Sequence, residues 1–147
     1  MLYNRKLFED AALKTPWEQY KEDTWDWNAF RAAAKELTVD ENNDDEPDVY
    51  GFAFYRPQVW PYTTGEPFST FDGKNLKITN NLGSKNIARA MNFIFDMLTV
   101  DKTGMANYKD VLDKFGNGKV GMMIFDANVI GMPEVQKLAE KGEVGMA

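Results

Sequence analysis

Two stretches decide the fold class. They are Trp25-Asp26-Trp27-Asn28-Ala29-Phe30-Arg31-Ala32-Ala33-Ala34-Lys35-Glu36-Leu37 and, after an acidic run, Val49-Tyr50-Gly51-Phe52-Ala53-Phe54-Tyr55. The first predicts a helix. Asp26 is an N-cap residue whose side chain can accept from a free first-turn N–H. Trp25 before it faces Phe30 at the spacing of a hydrophobic staple, which places Trp25 in or near the core. The second stretch is aromatic and uncharged, which predicts a buried strand. Between them Asp40-Glu41-Asn42-Asn43-Asp44-Asp45-Glu46-Pro47-Asp48 can neither bury nor pair its charges, so it predicts a solvated loop.

Working outward, the same alternation continues. Asn4 can cap a short helix over residues 5–13 with Leu7, Phe8 and Ala11 on one face, and Thr15-Pro16 should end it. Three prolines between Arg56 and Pro67 predict irregular backbone carrying large side chains. Asp72-Gly73 marks a turn before a short strand over 76–79. Residues 84–99 form the most regular helix, with Ile87, Met91, Ile94, Phe95 and Leu98 as its apolar face. A helix near 108–115 carries Tyr108, Val111, Leu112 and Phe115, and Gly116-Asn117-Gly118 stops it. Residues 119–125 read as a strand, Pro133 opens a last helix to about Lys141, and residues 143–147 suggest one more strand. Met122, Met123, Met132 and Met146 suit core filling. Helices alternating with strands predict an α/β fold, with helices packed on a small mixed sheet.

Composition narrows the function. The chain has 147 residues, the size of one domain, with 44% hydrophobic residues and 14% aromatics, enough for a core. Its net charge of -6 and scattered basic residues argue against a nucleic-acid partner. The absence of cysteine and histidine removes disulfides, thiolate and Ser-His nucleophiles and most zinc constellations. Enzymes using two carboxylates pass this filter, but the densest group of acids, six of the 23, falls in the 40–48 loop, a poor place to fix two carboxyls. No apolar run reaches a membrane span of roughly 18 residues. Met1-Leu2-Tyr3-Asn4-Arg5 lacks signal-peptide architecture, as a cytosolic protein or an excised piece of an exported one would. The chain starts on one expected strand, over 1–3, and stops on another, which suggests a cut through a larger fold.

Five segments carry a family resemblance. Leu2-Tyr3-Asn4-Arg5-Lys6-Leu7-Phe8-Glu9 resembles a "YNKDLFE" segment. Trp25 to Phe30 with Ala34 to Thr38 resembles "TWDEF…AKKLT". Asp48-Val49-Tyr50-Gly51-Phe52 resembles "D-x-YGF". Phe115 to Met122 resembles "F-x-x-GKVAM", and Glu143 to Ala147 the start of "VGVAPLP". In this order they resemble the extracellular solute-binding proteins of bacterial ABC importers, carbohydrate-binding branch. The resemblance implies a two-lobed, periplasmic-binding-protein-like (type II) fold, of which residues 1–147 would be most of the C-terminal lobe, as a single domain. It also implies non-catalytic capture of an extracellular solute, a sugar or oligosaccharide, for an ABC permease. The full-length parent would sit outside the cell or on its surface as a lipoprotein. A free-standing carbohydrate-binding module and a two-carboxylate glycosidase are the alternatives.

The resemblance also places a ligand site. Sugars offer an apolar C–H face and a polar rim, suiting flat rings flanked by hydrogen-bonding groups. In the segment after the Phe52 strand, Arg56 and Gln58 are candidate donors, Trp60 a stacking platform and Tyr62 a further contact. Packing of Trp60 and Tyr62 on the domain's own surface is the competing reading. Asp126 and Asn128, after the strand that starts at Lys119, can bind hydroxyls or serve as a cap and turn. Many relatives carry a tryptophan close to Asn128, and this chain departs from them. Relatives often carry a "D-x-D-G-D-G-x-x-D" loop where this chain has residues 40–48, which prompts a calcium reading. Here Asp40, Asn42, Asp44, Glu46 and Asp48 alternate as ligands would, but Asp45 replaces the turn glycine and Gly51 the final bidentate acid. No metal or cofactor is expected.

Overall fold

The computed structural model describes residues 1–54, 57–105, 109–124 and 126–147; the side chains of residues 57, 58 and 127 are outside the description as well. The elements in chain order are β1 (Leu2–Asn4), α1 (Arg5–Asp10), α2 (Pro16–Lys21), α3 (Trp27–Leu37) and β2 (Tyr50–Phe54). A 3-10 segment (Pro57–Thr64), the hairpin β3 (Ser69–Asp72) and β4 (Lys77–Asn80), and α4 (Lys85–Thr99) follow. The chain continues through β5 (Gly104–Met105), α5 (Val111–Gly116), β6 (Val120–Ile124), a second 3-10 segment (Ala127–Gly131), α6 (Pro133–Ala139) and β7 (Val144–Met146).

The main sheet runs β5-β2-β6-β1-β7. β2 is parallel to β5 and to β6, whereas β1 is antiparallel to β6 and β7. The sheet is therefore mixed, and the α/β expectation holds. Its central strands β2 and β6 are apolar because both faces are covered. Tyr3, Phe52 and Met122 lie in one core with Phe8, Phe30, Leu37, Ile94 and Met97. Their chain neighbours Leu2, Ala53 and Met123 lie in the other, with Val111, Phe115, Val135 and Leu138. Adjacent residues entering opposite cores is the period-two alternation of a strand.

Local sequence explains several boundaries. Asp26 caps α3 through Oδ1, which accepts from Ala29 N at 2.8 Å, and the Trp25 ring meets Phe30 edge-on at 6.2 Å. The first helix stops at Asp10, short of the expected residue 13, where Ala12 takes a left-handed φ of 53°, and Thr15-Pro16 instead opens α2. Thr15 Oγ1 accepts from Glu18 N at 3.3 Å, Glu18 Oε2 accepts from Thr15 N at 2.8 Å, and Pro16 takes the first turn, where its missing N–H costs nothing. The expected irregular stretch after β2 is a regular 3-10 segment with Pro61 inside it. The strand expected over 76–79 is half of an exposed hairpin, with Phe71 opposite Ile78.

Other expectations are corrected. On α4 the buried stripe is Ile87, Ala90, Ile94 and Met97, leaving Met91 46% and Phe95 61% exposed. Neighbouring elements set the angle of the stripe, and they turn the small Ala90 inward in place of Met91. Met122 and Met123 fill the core, but Met132 and Met146 are exposed, Met146 because β7 is an edge strand. The helix expected from residue 108 begins at Val111, and Tyr108 lies outside the described residues. Among the described residues no helix is long and apolar enough to cross a membrane.

Candidate functional site

Parallel neighbours β2 and β6 end side by side, with Phe54 opposite Ile124. Each strand then leads towards a 3-10 segment, Pro57–Thr64 after β2 and Ala127–Gly131 after β6. In open α/β sheets ligands bind beyond the carboxyl ends of the strands, where such segments bring backbone and side chains together. All six sequence-predicted site residues fall in or beside these two segments. Arg56 itself lies outside the described residues, and for Gln58 only the backbone is described, within the first segment.

Trp60 differs from the expected open platform. It is 5% exposed, its ring parallel to Phe93 (5.6 Å between centroids, 4° between planes) and tilted against Trp27 at 5.5 Å and Phe30 at 5.1 Å. Phe54 meets it edge-on at 5.9 Å. The ring that was to receive a sugar is enclosed by four other rings. Its Nε1–H is buried and finds no acceptor among the described residues, which costs about 1–3 kcal/mol that the aromatic packing must offset. Tyr62, two residues on, is 56% exposed and leans on Phe68 at 5.0 Å. Asp126 is half-buried at the start of the second segment, where its carbonyl accepts from Val129 N at 3.2 Å, and Asn128 is exposed. The two segments thus carry an exposed aromatic ring, a carboxylate and an amide, groups that suit a sugar's face and hydroxyl rim.

The first segment is fastened at both ends of its second half. Thr63 and Thr64 hydroxyls donate to Trp60 O and Pro61 O, both at 2.7 Å. Ser84 Oγ donates to Glu66 Oε2 at 2.8 Å while accepting from Ile87 N at 3.1 Å, which joins the exit of the segment to the cap of α4. Phe93 and Arg89, which complete this arrangement from α4, were not singled out from sequence. Their i, i+4 spacing was the available signal.

Two other places were weighed. A concavity of about 510 Å³ runs along the free edge of β7 between Trp17, Ile130, Val135 and Met146. It is mostly apolar, with Arg5 and Gln136 as its polar side chains, and the Gln136 amide already donates to Ile130 O at 2.6 Å, which suits a sugar's hydroxyl rim poorly. In the acidic loop the side chains fold back on their own backbone: Asp40 Oδ1 accepts from Asn43 N at 2.8 Å and Asp48 Oδ2 from Glu41 N at 2.8 Å. No cluster of three or more metal-ligating side chains occurs among the described residues.

Comparison with known proteins identifies the group. The family profile of the bacterial extracellular solute-binding proteins matches residues 1–147. A protein named as a binding protein in Brucella abortus (strain 2308) is 32% identical over 129 residues, which is 84% of this chain and 29% of that protein. Among solved structures, the maltose/maltodextrin-binding domain of Bdellovibrio bacteriovorus, bound to maltotriose, superposes with a TM-score of 0.69 at 21% identity, over 99% of this chain and 35% of that one. A solute-binding protein of an ABC transporter from Thermotoga lettingae, bound to α-D-tagatose, gives 0.71 at 18% identity, over 99% and 37%. The chain spans about a third of the length of these proteins. These relatives are binding proteins, and the likeness in structure extends the resemblance seen in the five ordered segments to the whole fold. The chain belongs to the bacterial extracellular solute-binding protein family.

Proposed function

We propose that this chain is the greater part of one lobe of a solute-binding protein, and that it contributes half of a cleft that captures a sugar or oligosaccharide outside the cell. Handover to the permease of an ABC importer, without chemical change to the solute, is the activity of the whole protein. The observation that carries this reading is the family match over the whole chain; the segments that follow the adjacent parallel strands β2 and β6, with Tyr62, Asp126 and Asn128 on them, support it. Solved relatives bound to maltotriose, tagatose and laminaribiose support sugar as the solute class. Tyr62 would stack on the sugar face, Asp126 and Asn128 would bind hydroxyls, and Arg56 and Gln58 would donate from the first segment. Trp60 would serve this site from behind.

A single lobe makes about half the contacts of a closed cleft and cannot exclude water from the other side. Calorimetric titration of the chain with maltotriose and laminaribiose is therefore expected to give dissociation constants no tighter than about 1 mM. Incubation with chromogenic glycosides is expected to release no chromophore above background. Micromolar affinity would instead indicate a free-standing carbohydrate-binding module, and turnover would indicate a glycosidase.

A further inference from the structure

We propose that Trp27, Phe93 and Trp60 are positioning residues that hold the 57–64 segment as a fixed wall of the solute site and touch no solute themselves. This rests on the solute-binding reading for its purpose, though its geometry stands apart from it. Within the segment Trp60 is the buried anchor, and Tyr62, two residues on, is exposed. The anchor is gripped by rings from two helices, Trp27 at the start of α3 and Phe93 in the middle of α4, which also touch each other at 5.1 Å. Both outer rings are capped by cations. The Arg89 guanidinium lies 5.0 Å from the Trp27 ring centre, and that of Arg31 lies 5.9 Å from the Phe93 ring.

This raft explains the enclosed Trp60. With no acceptor for its N–H among the described residues, Trp60 is held in place by ring packing. The raft also explains how a segment with no strand neighbour of its own is kept in place. It is wedged against α3 and α4 by aromatic stacking and closed at its exit by the Glu66–Ser84 hydrogen bond. An ordered wall loses less freedom when a solute arrives, which raises affinity without adding a contact.

Native-state hydrogen exchange of the solute-free chain tests the proposal. Trp60→Leu and Phe93→Leu are expected to speed exchange of the amides in residues 57–68 by about tenfold or more, with amides of β2 and β6 unchanged. Trp60→Phe, which keeps a flat ring but is smaller than the indole and lacks its donor, is expected to lose clearly less protection than Trp60→Leu. Should Phe93→Leu unfold the chain, Arg89→Ala removes only the outer cap and is expected to give a smaller rise confined to the same residues. Unchanged exchange at 57–68, an equal rise throughout the sheet, or a rise in Trp60→Phe as large as that in Trp60→Leu would overturn the proposal. Because no solute is present, these outcomes judge the positioning claim by itself, whereas a wild-type chain that ignores sugar in titration overturns only the solute reading.

Discussion

Gly51→Ala is expected to lower the unfolding free energy by about 3 kcal/mol or more, enough to unfold much of the population of a marginally stable domain. A Cβ placed on Gly51 would stand 1.9 Å from Ala34 O and 2.5 Å from its carbonyl carbon, so it would strike backbone rather than a side chain able to turn aside. The close approach is built into the sheet-to-helix contact. Thr38 Oγ1 donates to Ala34 O at 2.7 Å and accepts from Gly51 N at 3.1 Å, tying the last turn of α3 to the first residues of β2. Gly121 on β6 continues the same narrow seam, its own Cβ position lying 2.9 Å from Gly51 O. Relief would require α3 to move outward, which would open the core around Phe30, Leu37 and Phe52. Urea unfolding measures the effect. Gly73→Ala, whose added methyl would meet only Phe71 Cε1 at 3.7 Å, is the control and is expected to stay within about 0.5 kcal/mol of wild type. Equal stabilities for the two variants would contradict this account of the seam.

Arg31→Ala is expected to cost about 2 kcal/mol near neutral pH, and the cost should fade in acid. Asp101, beyond the end of α4, is 6% exposed at its side chain. It accepts from Arg31 Nη2 at 2.9 Å and pairs with Lys35 Nζ at 3.0 Å, which joins α3 to α4 beneath the aromatic raft. The Arg31 hydrogen bond, more than that of Lys35, holds the Asp101 carboxyl below its ordinary 3.8, against the opposing effect of burial. A depressed carboxyl stabilises the fold above the unfolded-state value and loses that contribution as pH falls through the folded-state value. The difference between wild type and Arg31→Ala should therefore be full at neutral pH and shrink below the ordinary value, as Asp101 takes up its proton. Urea unfolding across that range reads it directly. A difference that stayed constant into strong acid would show that Arg31 acts by packing on Phe93 alone.

Much of this fold was legible because its signals are local. Asp26 with Trp25 and Phe30 marks the start of α3 without reference to the rest of the chain, and the uncharged run before Tyr55 can only be a covered strand. The five family segments add their order, and the whole-chain match bears that out. What was not legible depends on partners distant in sequence. Thr15-Pro16 reads as a stop until Glu18 is seen to reach back to Thr15 N. The stripe on α4 follows from what covers it, so Met91 and Phe95 pass for core residues on spacing alone. Trp60 is the sharpest case. Its aromatic, proline-rich surroundings suit a stacking platform and a packed anchor equally well, and only the approach of Phe93 and Trp27 makes it the anchor. The two candidate segments were found in sequence through the family resemblance, while their position after the adjacent strands β2 and β6 follows from the sheet order.

The central claim is that sugar meets this chain at the ends of those two strands. It is tested most directly by titrating maltotriose into isotopically labelled protein and following the backbone amide resonances. The account predicts progressive shifts, saturating only at millimolar sugar, in residues 57–64 and 126–131 and at the ends of β2 and β6. Shifts confined to Trp17, Val144 and Met146 along the β7 edge, or no shift at any sugar concentration reached, would contradict it.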